Sequence, residues 1–251
     1  MTDQAVVSLQ NLTVLRGDTT ALADISLRIR SGERVALVGP SGAGKSTLLH
    51  VINGSVPPTS GRVEVFGADP SSLTATSLAA LLARIGTAYQ DLALVGPLRV
   101  IHNVNAGRLG SWSLGRALRS LVKPVDITAA KVVLARLGLE DKLWVRTDRL
   151  SGGEQQRVAL ARLLVQDAEL ILADEPIASL DPARGREVLE LFCGIARQDH
   201  RTLIVSLHAF DLALEMCDRV IGLREGRVVF DAAPENVEPA MARSLYDLGR
   251  A

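Results

Sequence analysis

A glycine-rich stretch, GPSGAGKST, carries the clearest chemistry in this sequence. Glycines let the backbone curl so that several N–H groups point at phosphate oxygens, and the helix that follows aims its positive end at the same place. The lysine supplies a charge for the β and γ phosphates, and the serine hydroxyl after it suits Mg²⁺. An apolar run at 34–38 predicts a buried strand leading into the stretch. We therefore predict a nucleotide site at these residues: Gly39, Pro40, Ser41, Gly42, Ala43, Gly44, Lys45, Ser46 and Thr47.

Two acids end a second apolar run, LILADE at 170–175. A strand parallel to the one before the glycine-rich stretch would deliver both acids beside the γ phosphate. Asp174 suits holding Mg²⁺ through water, and Glu175 suits polarising the attacking water. Because an apolar run followed by acids is common, this assignment depends on the phosphate site upstream.

Two other polar residues are ambiguous from their types alone. His208 follows the apolar run 203–205 and would reach the γ phosphate from the opposite side, although a single histidine is more often a surface or packing residue. Gln90 by itself is typical of a solvated loop. Cys193 and Cys217 lie in apolar helix-like stretches, which favours buried structural thiols in a reducing cytoplasm.

The composition narrows the class of protein. The chain has 251 residues, of which 47% are apolar, and its 28 basic residues balance 28 acidic ones. A balanced charge gives no field that would attract nucleic acid, so a nucleic-acid partner is disfavoured. The first residues lack the pattern of a signal peptide, and we expect no membrane-spanning helix. If the protein works at a membrane, it must dock onto a protein that spans it.

The pattern of elements predicts an α/β fold. Alternating residues predict early strands, and helices then alternate with short apolar strands, as in a mostly parallel sheet covered on both faces. From residue 90 to about 150 the strand signals vanish and the apolar spacing becomes helical. Helices are expected there at 100–109, 114–121 and 126–137, which we interpret as an inserted helical lobe.

The segment LSGGEQQR at 150–157 identifies the kind of phosphate-loop protein. Its serine and glycines open a helix, which creates a second anion-binding N-terminus. The segment resembles the signature of ATP-binding cassette proteins. In that family two cassettes pair head to tail, and each signature closes over the γ phosphate of the other's ATP. The resemblance therefore implies a homodimer in which four residues contact the partner's nucleotide: Ser151, Gly152, Gly153 and Glu154.

The resemblance also implies roles for the ambiguous residues. Gln90 resembles the glutamine that senses Mg²⁺ and couples to the membrane partner, and His208 the switch histidine. Ser179-Leu180-Asp181 resembles the loop that communicates across the dimer. The implied fold is a P-loop NTPase (RecA-like) core with a mostly parallel sheet and an N-terminal antiparallel β-subdomain. We expect the core at 1–89 and 158–251, and the inserted α-helical subdomain at 90–157.

One departure concerns the nucleotide base. The family usually places an aromatic ring against the adenine in the loop between the first strands, and here 12–17 reads LTVLRG, without one. Either Arg16 stacks its guanidinium on the base, or the base is held loosely.

A single cassette without a spanning segment is typical of importers whose subunits are separate chains. The segments around 89–121, 171–182 and 206–231 resemble phosphonate importer ATPases, and the helical stretch at 110–123 is the distinctive part. The resemblance implies an ATPase coupled to transmembrane transport, bound peripherally to permease subunits at the cytoplasmic face of the inner membrane and served by a solute-binding protein. Phosphite fits equally well as the solute. The alternatives are a cassette of an amino-acid, lipoprotein-release or export system, and a non-transport ATPase acting on nucleic acid or ribosomes.

Overall fold

A computed structural model describes residues 5–89, 91–178 and 180–246 of the chain. Its strands are β1 (Ala5–Arg16), β2 (Thr19–Arg30), β3 (Arg34–Val38), β4 (Ser60–Val65), β5 (Ile85–Ala88), β6 (Leu170–Asp174), β7 (Thr202–Leu207), β8 (Arg219–Arg224) and β9 (Arg227–Ala232). Its α-helices are α1 (Lys45–Ile52), α2 (Ala75–Ala83), α3 (Val100–Asn105), α4 (Leu114–Val122), α5 (Ile127–Arg136), α6 (Gly152–Gln166), α7 (Pro182–Gln198), α8 (Phe210–Met216) and α9 (Pro239–Tyr246).

The strands form two sheets. The larger one has the order β5-β6-β7-β3-β8-β9, and its strands are parallel except for β9, which returns antiparallel to β8. The smaller sheet, β2-β1-β4, is antiparallel. This arrangement confirms the predicted α/β class with a mostly parallel sheet and an N-terminal antiparallel unit.

The larger sheet is buried on both faces, because neighbouring residues of each central strand point into different cores. In β3, Val35 and Leu37 join the core that α1 and the antiparallel sheet cover, whereas Ala36 and Val38 join the core under the other helices. All six residues of β7 are buried. Such burial explains why these strands are continuous apolar runs rather than alternating ones.

Short β5 is the strand that the sequence pattern misses. It reads IGTA, and a four-residue stretch with a glycine carries almost no strand signal. It forms because it pairs in parallel with β6 over four residues, from Ile85 opposite Leu170 to Ala88 opposite Ala173. Pairing with β6 therefore determines that this strand forms. The strand ends two residues before residue 90.

The stretch between β5 and α6 is helical, as predicted, but its first helix is shorter than expected. Instead of one helix over 100–109, α3 ends at Asn105 and a 3-10 segment, Ala106–Ser111, continues the chain. Buried apolar residues of α3 and α5 pack in the same core as α6. The division of the chain at 157 stays a prediction, and α6 crosses that position without interruption.

The end of the chain packs onto the core. Leu245 of α9 is buried, and the Tyr246 ring meets the Phe210 ring edge-on at 6.4 Å between centroids. Cys193 and Cys217 are buried free thiols, as the sequence predicts. Within the described residues, none of the helices has the length and apolar character needed to cross a membrane.

Replacing Gly222 by alanine should destabilise the larger sheet. Gly222 pairs with Phe230 across β8 and β9, and a Cβ built on it would lie 2.6 Å from Cδ1 of that ring. We expect a loss of about 1–3 kcal/mol in the free energy of unfolding, because overpacking forces the ring to move. Chemical denaturation would measure the loss.

Gly194→Ala is the matched control, since a Cβ there meets nothing within 4 Å and the residue lies inside α7. It should stabilise the chain by about 0.5–1 kcal/mol, because alanine favours a helix interior. Equal effects of the two substitutions would contradict the steric argument.

Candidate active site

The glycine-rich loop joins β3 to α1 in a conformation that needs its glycines. Gly39 has φ +152° and Gly44 has φ +104°, values that residues with side chains rarely adopt. A Cβ at Gly44 would also lie 2.7 Å from the carbonyl oxygen of Ala21. The loop is therefore held close to the antiparallel sheet, and its backbone shape requires glycine at both positions.

The Lys45 side chain stabilises this loop through hydrogen bonds to its backbone. Its Nζ donates hydrogen bonds to the carbonyl oxygens of Gly39 (2.8 Å) and Pro40 (3.0 Å), and only 4% of the side chain is exposed. Burial lowers the pKa of Lys45, and the negative charges of Glu175 and Asp174 oppose that shift. The Glu175 carboxylate lies 3.9 Å from Nζ. A cation so placed is suited to bind phosphate oxygens at the mouth of the loop.

Ser46 and Asp174 bring the phosphate loop and β6 together. The Ser46 hydroxyl donates to Oδ1 of Asp174 at 3.0 Å, across 128 residues of sequence. A hydroxyl beside a carboxylate is the hard oxygen donor set that Mg²⁺ prefers. Within the described ranges there is no cluster of three or more His, Cys, Asp or Glu side chains able to hold a metal ion. The two residues therefore fit Mg²⁺ only when phosphate oxygens complete its ligands.

Glu175 is directed by its backbone and by His208. It follows the last residue of β6 with φ +48°, a left-handed conformation that is unusual for a residue with a side chain. His208 Nε2 lies 2.6 Å from Glu175 Oε1, a contact that the sequence did not predict, and the expected contact of His208 with the γ phosphate stays a prediction. The Glu175 side chain is 18% exposed and the His208 side chain 47%. The Glu175 carboxylate therefore lies near the Lys45 cation and also contacts the imidazole of His208, which is exposed to solvent.

Ser206 belongs to the same cluster, although the sequence analysis did not single it out. This serine of β7 is fully buried and lies opposite Asp174 in the parallel register. Its hydroxyl donates to Asp174 Oδ1 at 2.7 Å and accepts from the N–H of Glu175 at 2.8 Å. A polar residue inside an otherwise apolar strand was the available signal, because a buried hydroxyl needs partners.

The signature segment forms a separate, exposed part of the surface. Ser151 caps α6 in a reciprocal capping box: its hydroxyl accepts from the N–H of Glu154 at 3.4 Å, and its own N–H donates to Glu154 Oε2 at 2.8 Å. That backbone hydrogen bond lowers the pKa of Glu154. Ser151 and Gly152 are exposed, and a Cβ at Gly153 would meet nothing within 4 Å. No hydrogen bond or ion pair of the described residues joins Ser151 or Glu154 to the glycine-rich loop, and the exposed pair Ser151 and Gly152 faces outward.

One contact links α6 to the segment that follows Glu175, and α7 begins beside that segment with its own cap. Gln156 of α6 donates from Nε2 to the carbonyl oxygen of Pro176 at 2.8 Å, just after Glu175. Asp181 caps α7, with Oδ1 accepting from the N–H of Arg184 at 3.1 Å. A cavity of about 440 Å³ lies where β6, β7 and the start of α7 meet. Its lining includes Glu175, Asp181, Ser206 and His208.

The structure does not test the roles predicted for three residues, namely Gln90, Ser179 and Arg16. Gln90 and Ser179 lie outside the described residues, so the roles that the resemblance implies for them stay predictions. Arg16 is exposed at the end of β1, beside the turn to β2. Its contact with a base also stays a prediction.

The fold and these clustered residues define a class of protein that comparison with known families identifies. A profile of the ABC transporter family matches residues 22–178, which is more than half of the chain. The chain belongs to the ABC transporter family, whose ATP-binding cassettes are ATPases coupled to transport. Over 241 residues it is 48% identical to a Pseudomonas aeruginosa (strain UCBPP-PA14) protein named "Phosphonates import ATP-binding protein PhnC 2", and the match covers 96% of this chain and 90% of the relative.

Solved cassettes share the fold over most of their length. CbiO1 from Clostridium perfringens, part of the ABC transporter complex CbiONQ, is 29% identical with a TM-score of 0.79, and the match covers 92% of this chain and 89% of that one. The cassette MJ0796, solved as a dimer in a post-hydrolysis state with ADP and Pi, is 30% identical with a TM-score of 0.74. That match covers 91% of this chain and 98% of MJ0796.

Lys45→Met should weaken ATP binding by about tenfold or more. Methionine keeps much of the buried volume but removes the cation that phosphate oxygens would meet, and hydrogen bonds to charged groups contribute about 1.5–3 kcal/mol each. Binding of a fluorescent ATP analogue would measure the loss. Lys131→Met, at an exposed position of α5, is the control and should bind normally. Equal affinities for the two variants would contradict the role given to Lys45.

Proposed function

We propose that this chain is the ATP-hydrolysing subunit of an importer for phosphonate or a related reduced phosphorus compound. The proposed ATP hydrolysis rests on one observation, the cluster in which Lys45, Asp174 and Glu175 meet at one edge of the sheet. The names and identity of the relatives support the importer part.

The geometry suggests how the residues divide the reaction. Lys45 holds the β and γ phosphates and offsets the charge that develops on them. Ser46 and Asp174 hold Mg²⁺, which when bound neutralises phosphate charge. Glu175 orients the attacking water and takes up its proton, because its carboxylate lies at the end of β6 beside the loop. His208 holds Glu175 Oε1 and keeps that carboxylate aimed.

A dimer follows from the outward-facing signature. Ser151, Gly152 and Gly153 present a helix N-terminus that attracts anions, yet they make no described bond to their own phosphate loop. A second copy placed head to tail brings this N-terminus to the γ phosphate of its partner. ATP then favours the closed dimer, because it gains contacts with both copies only in that state.

The membrane partner is expected at a groove beside β5. A cavity of about 520 Å³ lies between α2 and the 3-10 segment after α3, and its lining includes Leu82 and Tyr89. Both side chains are 37% exposed. Tyr89 directly precedes Gln90 in the sequence, so a permease segment in this groove would bind next to the residue that we expect to sense Mg²⁺ and couple to the membrane partner. The chain would then lie peripherally at the cytoplasmic face of the inner membrane, in a complex that includes a solute-binding protein.

Glu175→Gln should keep ATP binding, lose nearly all turnover and accumulate a dimer with ATP. The amide retains the size of the side chain but cannot accept the proton of the attacking water. Adding Ser151→Ala should abolish that dimer, because it removes a hydroxyl from the shared site. Size-exclusion chromatography with and without ATP, together with phosphate release, would measure both effects.

Ser113→Ala in the same Glu175→Gln background is the control, since Ser113 caps α4 through a comparable bond to the N–H of Arg116. It removes a helix cap of the same kind at a distance from the signature. If it disrupted the dimer as strongly as Ser151→Ala, the effect would reflect helix stability instead of a shared site.

The solute assignment is tested through the partners. We expect the chain to co-purify from its own membranes with a permease and a solute-binding protein, and methylphosphonate or phosphite to raise the Tm of that binding protein. Amino acids should leave its Tm unchanged. Stabilisation by amino acids alone would indicate another importer. Recovery with ribosomes and no membrane subunit would favour the non-transport ATPase.

A further inference from the structure

We propose that Ser206 is a positioning residue for hydrolysis, because its single buried hydroxyl holds the carboxylate of Asp174 and the backbone N–H of Glu175. The inference rests on the proposed ATPase function and adds the residue that orients its metal-binding and water-binding groups. It concerns this chain's own β6 and β7, and it is independent of the solute.

The two hydrogen bonds of Ser206 reach neighbouring residues with different tasks. The hydroxyl donates to Asp174 Oδ1 at 2.7 Å and accepts from the N–H of Glu175 at 2.8 Å. A hydroxyl has one proton and two lone pairs, so it can serve both partners at once, and an apolar side chain can serve neither. Ser206 is fully buried, so water does not readily replace these bonds.

The first bond fixes the orientation of Asp174. Oδ1 of this carboxylate accepts from two hydroxyls, Ser206 at 2.7 Å and Ser46 at 3.0 Å. One donor comes from β7 and the other from α1, so they restrain the carboxylate from two elements. Ser46 would hold Mg²⁺ through a lone pair of its hydroxyl oxygen and keep its proton for Asp174. The Ser206 bond restrains the same carboxylate oxygen from within the sheet.

The second bond fixes the backbone of Glu175. This residue has φ +48°, a left-handed conformation that is unfavourable for a residue with a Cβ. Its N–H is held by Ser206, and its side chain extends to His208 Nε2 at 2.6 Å. The hydroxyl therefore stabilises the turn that points the carboxylate away from the line of β6 and towards the imidazole.

Thr202 offers a matched comparison within the same strand. It begins β7 at the opposite end from the site, is 1% exposed, and its hydroxyl accepts from the N–H of Gly32 at 3.0 Å. Thr202→Val removes that hydroxyl without changing the shape of the side chain. If buried hydroxyls of β7 serve only stability, the two positions should respond alike.

The test measures Mg²⁺-dependent binding of a fluorescent ATP analogue, ATPase kinetics and Tm for the full chain. For Ser206→Ala we expect the Mg²⁺ concentration at half-saturation to rise about tenfold and kcat to fall about tenfold, with KM for ATP within about twofold. Ser206→Thr, which keeps the hydroxyl, should restore both quantities. Thr202→Val should lower Tm and leave both quantities unchanged.

Two results would overturn the proposal: Mg²⁺ dependence and kcat of Ser206→Ala within twofold of wild type, or equal shifts in Thr202→Val. If Ser206→Ala does not fold, Ser206→Cys replaces it, because sulfur keeps the shape but bonds weakly. A cysteine variant with wild-type Mg²⁺ dependence would refute the role. A wild-type chain that bound no ATP analogue would instead refute the ATPase proposal, and this inference with it.

Discussion

The parallel register of β3, β6 and β7 is the constraint on which the active site depends. Parallel strands end at the same edge of a sheet, and here the glycine-rich loop, the two acids and His208 each follow one of these three strands. Residues that are more than 120 positions apart in sequence thus meet within hydrogen-bonding distance. A slip by one residue would turn every side chain of a strand to the other face, so the apolar packing on both faces also fixes the chemistry.

The same burial explains which parts of the fold the sequence could predict. β3 and β6 are continuous apolar runs next to residues of distinctive chemistry, so both the strands and the groups after them are recognisable. β5 is not, because its pairing with β6 supplies the stability that its own residues lack. The 3-10 segment after α3 is a similar case: the apolar spacing continues, but the helical geometry changes at Ala106.

The residues of the candidate site also differ in how far the sequence predicts them. The types and spacings of Lys45, Ser46, Asp174 and Glu175 suggest a common site. His208 is ambiguous by type, and only the resemblance gives it a role. The structure brings all five together. Ser206 has no such signature, since a serine in a strand is common. Its importance comes from the partner opposite it in the sheet, which only the register of β6 and β7 determines. The signature residues have no described bond to this cluster, and the resemblance assigns them a partner in a second molecule, which stays a proposal.

The turn between β8 and β9 gives the nucleotide site an unusual kind of support. The carbonyl oxygen of Gly226 accepts from the N–H of Ala23 in β2 at 2.8 Å, and its N–H donates to the carbonyl oxygen of Ala43 in the glycine-rich loop at 3.1 Å. One residue thus clamps the antiparallel sheet to the phosphate loop by main-chain atoms alone. Its φ is +73°, and a Cβ would lie 2.8 Å from the Ala21 carbonyl oxygen, so the clamp requires glycine. The spacing between the antiparallel sheet and the phosphate loop is consequently set by main-chain atoms, independently of the side chains around the turn.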